Sequence, residues 1–259
     1  IMASQNPGTG MTTYFKPMGT GYFKAYGTPT ESFWCCTGTG MENFTKLDDS
    51  IYFHVDSDLY INLYLSSTLN WEDKGLFLIQ AADIPNSDKV SFTIAAAPED
   101  ELNIKFRIPS WVAESQSVSI VVNDETVHVE EERGYFGISR VWCAGDIVEL
   151  TLPMEVKVSR LPDNQDAVAF TYGPVVLSAA LGTEKMIVSG HMASVKPTMP
   201  DDVNIKDYII IQNGSIDDWI NNITSNLIRT PGKLEFTLQN TDEDENLIFT
   251  PYYMEYKNR

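Results

Sequence analysis

Two adjacent cysteines carry the most distinctive chemistry in the chain. They lie in Phe33-Trp34-Cys35-Cys36-Thr37-Gly38-Thr39-Gly40-Met41-Glu42-Asn43. A thiolate is a strong nucleophile and a soft metal ligand. It is favoured at a helix N-terminus, where open backbone N–H groups and the helix dipole attract negative charge. Neighbouring cysteines close a disulfide only as a strained ring, so a shared metal ion is one way to hold both. The other reading is a pair packed as small hydrophobes. The glycine-rich turn and the helix start that follow bring the two readings near parity.

A closed zinc site takes four ligands. Cys35 and Cys36 supply two. The third cysteine, Cys143 in Val141-Trp142-Cys143-Ala144, reads as a core residue at a strand end. His54, His128 and His191 show no ligand spacing and read as solvated or packed. A small thiol redox or zinc protein is excluded for want of a Cys-x-x-Cys pair or a second ligand cluster. Glu42 reads as a helix-capping residue and Glu31 as solvated or supporting. Tyr14, Phe15, Tyr22, Phe23, Tyr26 and Trp34 precede or join the motif. Such rings can wall a sugar pocket, although core packing is the reading preferred for most of them.

The elements that must position the pair follow from periodicity. Met41, Phe44, Leu47, Ile51 and Tyr52 recur at three- and four-residue steps, which predicts a helix over Met41–His54. Thr39 is its expected N-cap, with Glu42 completing a capping box. From Asp58 the period becomes two. Leu59–Leu65, Leu76–Gln80, Val90–Ala95, Leu102–Ile108, Val118–Val122, Thr126–Val129, Tyr135–Ile138, Ile147–Leu152, Glu155–Ser159 and Ala167–Tyr172 read as strands. Turn signals such as Asp73-Lys74-Gly75 and Ala144-Gly145-Asp146 separate them, the pattern of a β-sandwich. Trp71, Trp111 and Trp142 are assigned to its core. After a polar connection over 182–206, a second unit is expected with strands near Ile209–Gln212, Lys233–Leu238 and Leu247–Tyr253, and a helical turn at Asp217–Ile220.

The 259 residues hold 18 basic and 36 acidic side chains, a net charge of −18. That charge argues against a nucleic-acid partner and against docking on anionic membrane, both of which need clustered Lys and Arg. No apolar run long enough to span a membrane occurs. The chain opens on Ile1-Met2-Ala3 and reads as a piece of a longer protein, which leaves its compartment open. Asn43-Phe44-Thr45, Asn213-Gly214-Ser215 and Asn222-Ile223-Thr224 match the short glycosylation-acceptor pattern.

The segment Glu31-Ser32-Phe33-Trp34-Cys35-Cys36-Thr37-Gly38-Thr39-Gly40-Met41-Glu42-Asn43-Phe44-Thr45-Lys46 resembles the signature of the β-L-arabinofuranosidases of glycoside hydrolase families 127 and 146. The resemblance continues through Leu69-Asn70-Trp71, Arg107-Ile108-Pro109-Ser110-Trp111, Leu161-Pro162-Asp163-Asn164 and Tyr172-Gly173-Pro174-Val175-Val176-Leu177, and fades beyond about residue 180. It implies a mainly β chain: two β-sandwich, jelly-roll-like domains preceded by the last segment of an otherwise absent (α/α)6 barrel. The implied boundaries are 1–56, 57–180 and 181–259. It further implies that Cys35 is a zinc-bound thiolate nucleophile and that Cys36 is a second zinc ligand. The remaining ligands, a Glu and a Cys two residues apart, and a Glu acid/base would lie upstream; no Glu-x-Cys occurs here. The expected substrate is an L-arabinofuranose-containing glycan, and the expected partner is the missing barrel of the same protein. Zinc belongs to the full-length parent and none is expected in this fragment, which should be inactive alone. The alternative is a non-catalytic carbohydrate-binding or structural β-sandwich module.

Overall fold

A computed structural model describes residues 2–14, 19–32, 34–46, 48–189, 196–244 and 246–259, and the elements and counts below are those of the described residues. The predicted positions Phe15, Leu47 and His191 fall outside them, as does the side chain of Cys36. Contacts divide the chain into two compact units. One comprises Ile1–Thr45, Val156–Thr171 and Val175–Arg259; the other comprises Lys46–Glu155 and Tyr172–Pro174. The chain is mainly β, as the change of period at Asp58 predicts.

The unit centred on Lys46–Glu155 is a β-sandwich. Its strands are β1 (Tyr52–Val55), β2 (Asp58–Ile61), β3 (Ser67–Trp71), β4 (Leu76–Ala82), β5 (Lys89–Ala96), β6 (Glu101–Arg107), β7 (Ser119–Val122), β8 (Glu125–Val127), β9 (Glu131–Glu132), β10 (Tyr135–Val141) and β11 (Ile147–Thr151). One sheet has the order β1-β2-β6-β10-β9 and the other β3-β4-β5-β11-β7-β8. Alternation decides which residues meet between the sheets. In β5 the odd-numbered Ser91 and Thr93 point outward, while Val90, Phe92 and Ile94 are buried. Phe92 and Phe106, from opposite sheets, pack edge to face at 5.0 Å. Trp142 is 2 % exposed, and its indole N–H donates to the Leu102 carbonyl at 3.0 Å. Trp71 is buried and Trp111 packs against the same core, as predicted. Cys143 is a correction: it is exposed. Trp142 takes the inward position, and the next residue must face out before the Gly145 turn.

The helix expected over Met41–His54 is also corrected. The structure forms α1 at Cys35–Phe44 and places Tyr52–Val55 in β1, which pairs antiparallel with β2. Asp56 makes the hairpin turn with φ +54°, a left-handed conformation that Asp tolerates. Ile51 is 6 % exposed. Its spacing from Phe44 coincided with a helical repeat, but the β hairpin claims the segment after Asp48.

In the other unit, β12 (Val156–Arg160), β13 (Val168–Tyr172), β14 (Val175–Ala179), β15 (Ile187–Ser189), β16 (Lys196–Thr198), α2 (Ile216–Asn221), α3 (Ile223–Asn226), β17 (Leu227–Arg229), β18 (Phe236–Leu238) and β19 (Ile248–Pro251) follow one another. Six of these strands form a sheet with the order β12-β13-β14-β19-β18-β17, and β15 pairs with β16. A boundary at residue 180 therefore cuts through hydrogen-bonded neighbours, because β14 pairs with β19 through Ser178 opposite Thr250. The sequence spacing of β12 to β14 resembles that of the sandwich strands, and only the pairing reveals which sheet they join. Phe170, Trp219 and Phe249 pack together on this sheet, and the Trp219 indole donates to Gln239. Ser215 and Asp218 close a reciprocal capping box at the start of α2.

Candidate functional site

Helix α1 carries the cysteine pair at its first two positions. Trp34 is the N-cap, in extended conformation with φ −100° and ψ 157°, and its side chain makes no capping bond. Thr39 is thus not the N-cap, and Glu42 does not close a capping box; both lie inside the helix. The glycines that read as a turn, Gly38 and Gly40, are helical residues. Each costs a helix about 1 kcal/mol relative to Ala. No acidic residue occupies the first turn. The helix is intrinsically weak, and none of its described side chains is buried.

Cys35 is exposed at the first helical position. The Thr37 N–H is directed back to the Trp34 carbonyl at 2.9 Å. The helix start supplies the electropositive end that the sequence reading required, one turn earlier than expected. On a helical wheel Cys35, Gly38 and Glu42 share one side. Thr37, Thr39, Gly40, Met41, Asn43 and Phe44 line a cleft of about 500 Å³, which Thr39 and Asn43 bring round toward that side. Its remaining wall comes from the segments around Thr12, Tyr14 and Ser32. Every lining side chain is uncharged, in a chain of net charge −18. Cys35 is not among the lining residues.

Behind the helix start the packing is tight. Trp34 is 5 % exposed and stacks on Tyr14 with ring centroids 5.8 Å apart. A side chain at Gly27 would come within 3.0 Å of the Trp34 ring and 2.8 Å of Ser32 Oγ, so only glycine fits this approach. Thr28 Oγ1 accepts the Glu31 N–H at 3.0 Å, which pins the loop leading to the motif. Of the three buried polar side-chain atoms without a hydrogen-bond partner among the described residues, two lie here: the Trp34 indole nitrogen and the Tyr26 hydroxyl. Burial, with Tyr252 and Tyr256 nearby, pushes the Tyr26 phenol up to about 12.

Of the aromatic residues singled out, Phe23 and Trp34 are buried as packing residues. Tyr14 is 39 % exposed and lines the cleft, whereas Tyr22 is exposed away from it. Glu31 and Glu42 are both exposed, and the described structure brings neither into a cluster with Cys35. His54 packs on Trp71 at 4.9 Å, and His128 is exposed. The cleft's hydroxyl-bearing wall was not legible in sequence. Thr12, Ser32 and Thr37 come from three stretches with no common spacing.

The donor chemistry fits half of a thiolate-rich zinc site. Adjacent cysteines at a helix start offer two sulfur ligands, and among the described residues no three His, Cys, Asp or Glu converge. Among the described residues no helix is long and apolar enough to cross a membrane.

Residues 1–49 match the family model for the β-L-arabinofuranosidase GH127 catalytic domain, and residues 58–154 match that for the GH127 middle domain. The chain belongs to the GH127 β-L-arabinofuranosidase family. The catalytic-domain match contains α1 and both cysteines; the middle-domain match coincides with the sandwich. Solved structures share the fold, among them the following three. The GH127 β-arabinofuranosidase BT3674 has a TM-score of 0.67 at 20% identity, over 97% of this chain and 41% of its own. A GH127 β-L-arabinofuranosidase from Geobacillus stearothermophilus T6 gives 0.58 at 17% identity, over 97% and 41%. A third, described as a glycoside hydrolase, gives 0.61 at 19% identity, over 100% and 44%. This GH127 chain thus spans about two fifths of the length of the structures it matches. No curated protein matches it.

Proposed function

We propose that this chain is the C-terminal portion of a retaining glycoside hydrolase that cleaves β-L-arabinofuranosides, with Cys35 as nucleophile. The observation that carries the reading is the position of Cys35: exposed, at the first residue of a helix, inside the segment that matches a catalytic-domain model. Retaining hydrolysis needs a nucleophile on one side of the anomeric carbon and an acid/base on the other. Cys35 Sγ attacks the anomeric carbon as the bond to the leaving oxygen breaks. A carboxylic acid outside this chain protonates that oxygen. Water, deprotonated by the same carboxylate, then displaces Cys35 and regenerates the thiolate.

Cys35 and Cys36 would hold a zinc ion together with ligands from the rest of the protein. When bound, such an ion keeps a coordinated thiol deprotonated. The helix start adds its dipole, and the buried Trp34 fixes where the helix begins. The fragment alone binds zinc weakly or not at all and has no glycosidase activity, because two ligands on adjacent residues cannot compete with a closed four-ligand site.

The test is single-turnover kinetics of the full-length protein on an aryl β-L-arabinofuranoside, with mass spectrometry of the quenched enzyme. A sugar adduct on the peptide carrying Cys35 supports the reading. An adduct on another residue, or turnover without any adduct in a Cys35→Ser variant that retains zinc, overturns it.

A further inference from the structure

We infer that Asn213 is a site of spontaneous deamidation, selected by the fold from among the asparagines of the chain. The sequence Asn213-Gly214-Ser215 lies in an exposed bend just before α2. Gly214 has φ +82°, a conformation open to glycine and strained for most other residues. Neither the Asn213 side chain nor the Gly214 N–H makes a hydrogen bond among the described residues. The following residue is fixed: Ser215 Oγ donates to Asp218 Oδ2 at 2.7 Å and accepts the Asp218 N–H at 3.1 Å. The reacting pair is therefore unbonded itself and anchored on both sides, by the Gln212 N–H donated to the Asn240 carbonyl at 2.9 Å and by the Ser215 cap.

The reaction is an intramolecular acyl substitution followed by hydrolysis. Gly214 N attacks Asn213 Cγ. The new N–Cγ bond forms as the Cγ–Nδ2 bond breaks, and Nδ2 leaves as ammonia with the proton from Gly214 N. Water then opens the five-membered imide at either carbonyl. Cleavage at Cγ gives aspartate, and cleavage at the backbone carbonyl gives isoaspartate. Each product carries a new carboxylate two residues before the Ser215 cap.

The structure withholds the same chemistry at Asn86 and Asn123. Asn86 also precedes a small residue, but the Ser87 N–H is donated to the Asp83 carbonyl at 2.9 Å and Asn86 Nδ2 to Asp83 Oδ1 at 3.0 Å. Both the attacking and the leaving nitrogen are engaged. Asn123 is held by its amide to Asp146 at 2.8 Å and accepts the Ile147 N–H at 2.9 Å.

The experiment incubates the full-length protein at mildly alkaline pH, native and in denaturant. Peptides are followed by mass spectrometry and isoaspartate by enzymatic methyl labelling. Asn213 is expected to convert at nearly its unfolded rate, and Asn86 about tenfold or more below its own unfolded rate because its amides are bonded. The Asn213→Gln variant, exposed and conservative, should lose the label from that peptide alone. The proposal is overturned if native Asn213 is slowed as much as Asn86, or if the Asn213→Gln protein keeps the label there.

Discussion

The sandwich at Lys46–Glu155 and the motif helix at Cys35–Phe44 make opposite use of their apolar residues. In the sandwich, Leu78, Phe92, Ile94, Ile104 and Val148 are wholly buried. In α1, Met41 is 58 % and Phe44 53 % exposed, two glycines weaken the helix, and no side chain caps it. One region holds the stability, and the other holds the groups that could react. With the roles so divided, removing the thiols should leave the sandwich folded, and weakening the sandwich should leave the thiols in place.

The largest effect should come from the motif. In the full-length protein, Cys35→Ser should slow sugar transfer to the enzyme by about 10³-fold or more, with the sandwich's melting temperature unchanged. Cys36→Ser should instead lower zinc content, with activity falling in proportion. Equal loss of melting temperature in these variants would erase the contrast between the two regions.

Next comes the core. Phe92→Ala should cost about 3–5 kcal/mol in denaturant unfolding of the sandwich, since Phe92 is wholly buried and packs on Phe106. Phe44→Ala in α1 should change stability by less than about 0.5 kcal/mol. A comparable loss at both sites would mean that α1 is held by contacts as extensive as the core's.

A smaller, pH-dependent effect belongs to Asp146. Burial pushes its carboxyl upward, but the Cys143 N–H, the Asn123 amide and Arg140 outweigh it and leave it below the usual carboxylate range. A lowered folded value stabilises the fold above the unfolded value, near pH 4, and that stabilisation is lost as pH falls through the folded value. Asp146→Asn should cost about 1–2 kcal/mol near neutral pH and flatten the acid side of the stability profile. An unchanged profile would remove Asp146 from the account.

The smallest effect sharpens the comparison most. The Cβ position at Gly40 has nothing within 4 Å. Gly40→Ala should therefore leave stability unchanged or raise it by up to about 1 kcal/mol. Gly40 lines the cleft and Cys35 does not, so the same methyl should leave KM for an arabinoside unchanged in the full-length protein. A raised KM would bring the cleft into sugar binding.

By itself the sequence determined the strand-rich fold, because alternation buries one set of side chains and a one-residue slip would expose all of them. Val90, Phe92 and Ile94 could only face inward. It also determined the cysteine motif, whose residue types and order needed no structure to read. Where α1 begins was left to tertiary structure. Ordinary cap signals placed the start at Thr39, but the buried Trp34, stacked on Tyr14 and pressed against Gly27, starts the helix at Cys35. Tertiary pairing likewise decided that Tyr52–Val55 is a strand and that β12 to β14 join β19. Local periodicity cannot specify a partner distant in sequence; hydrogen bonds between strands do, and they exist only once the chain has folded.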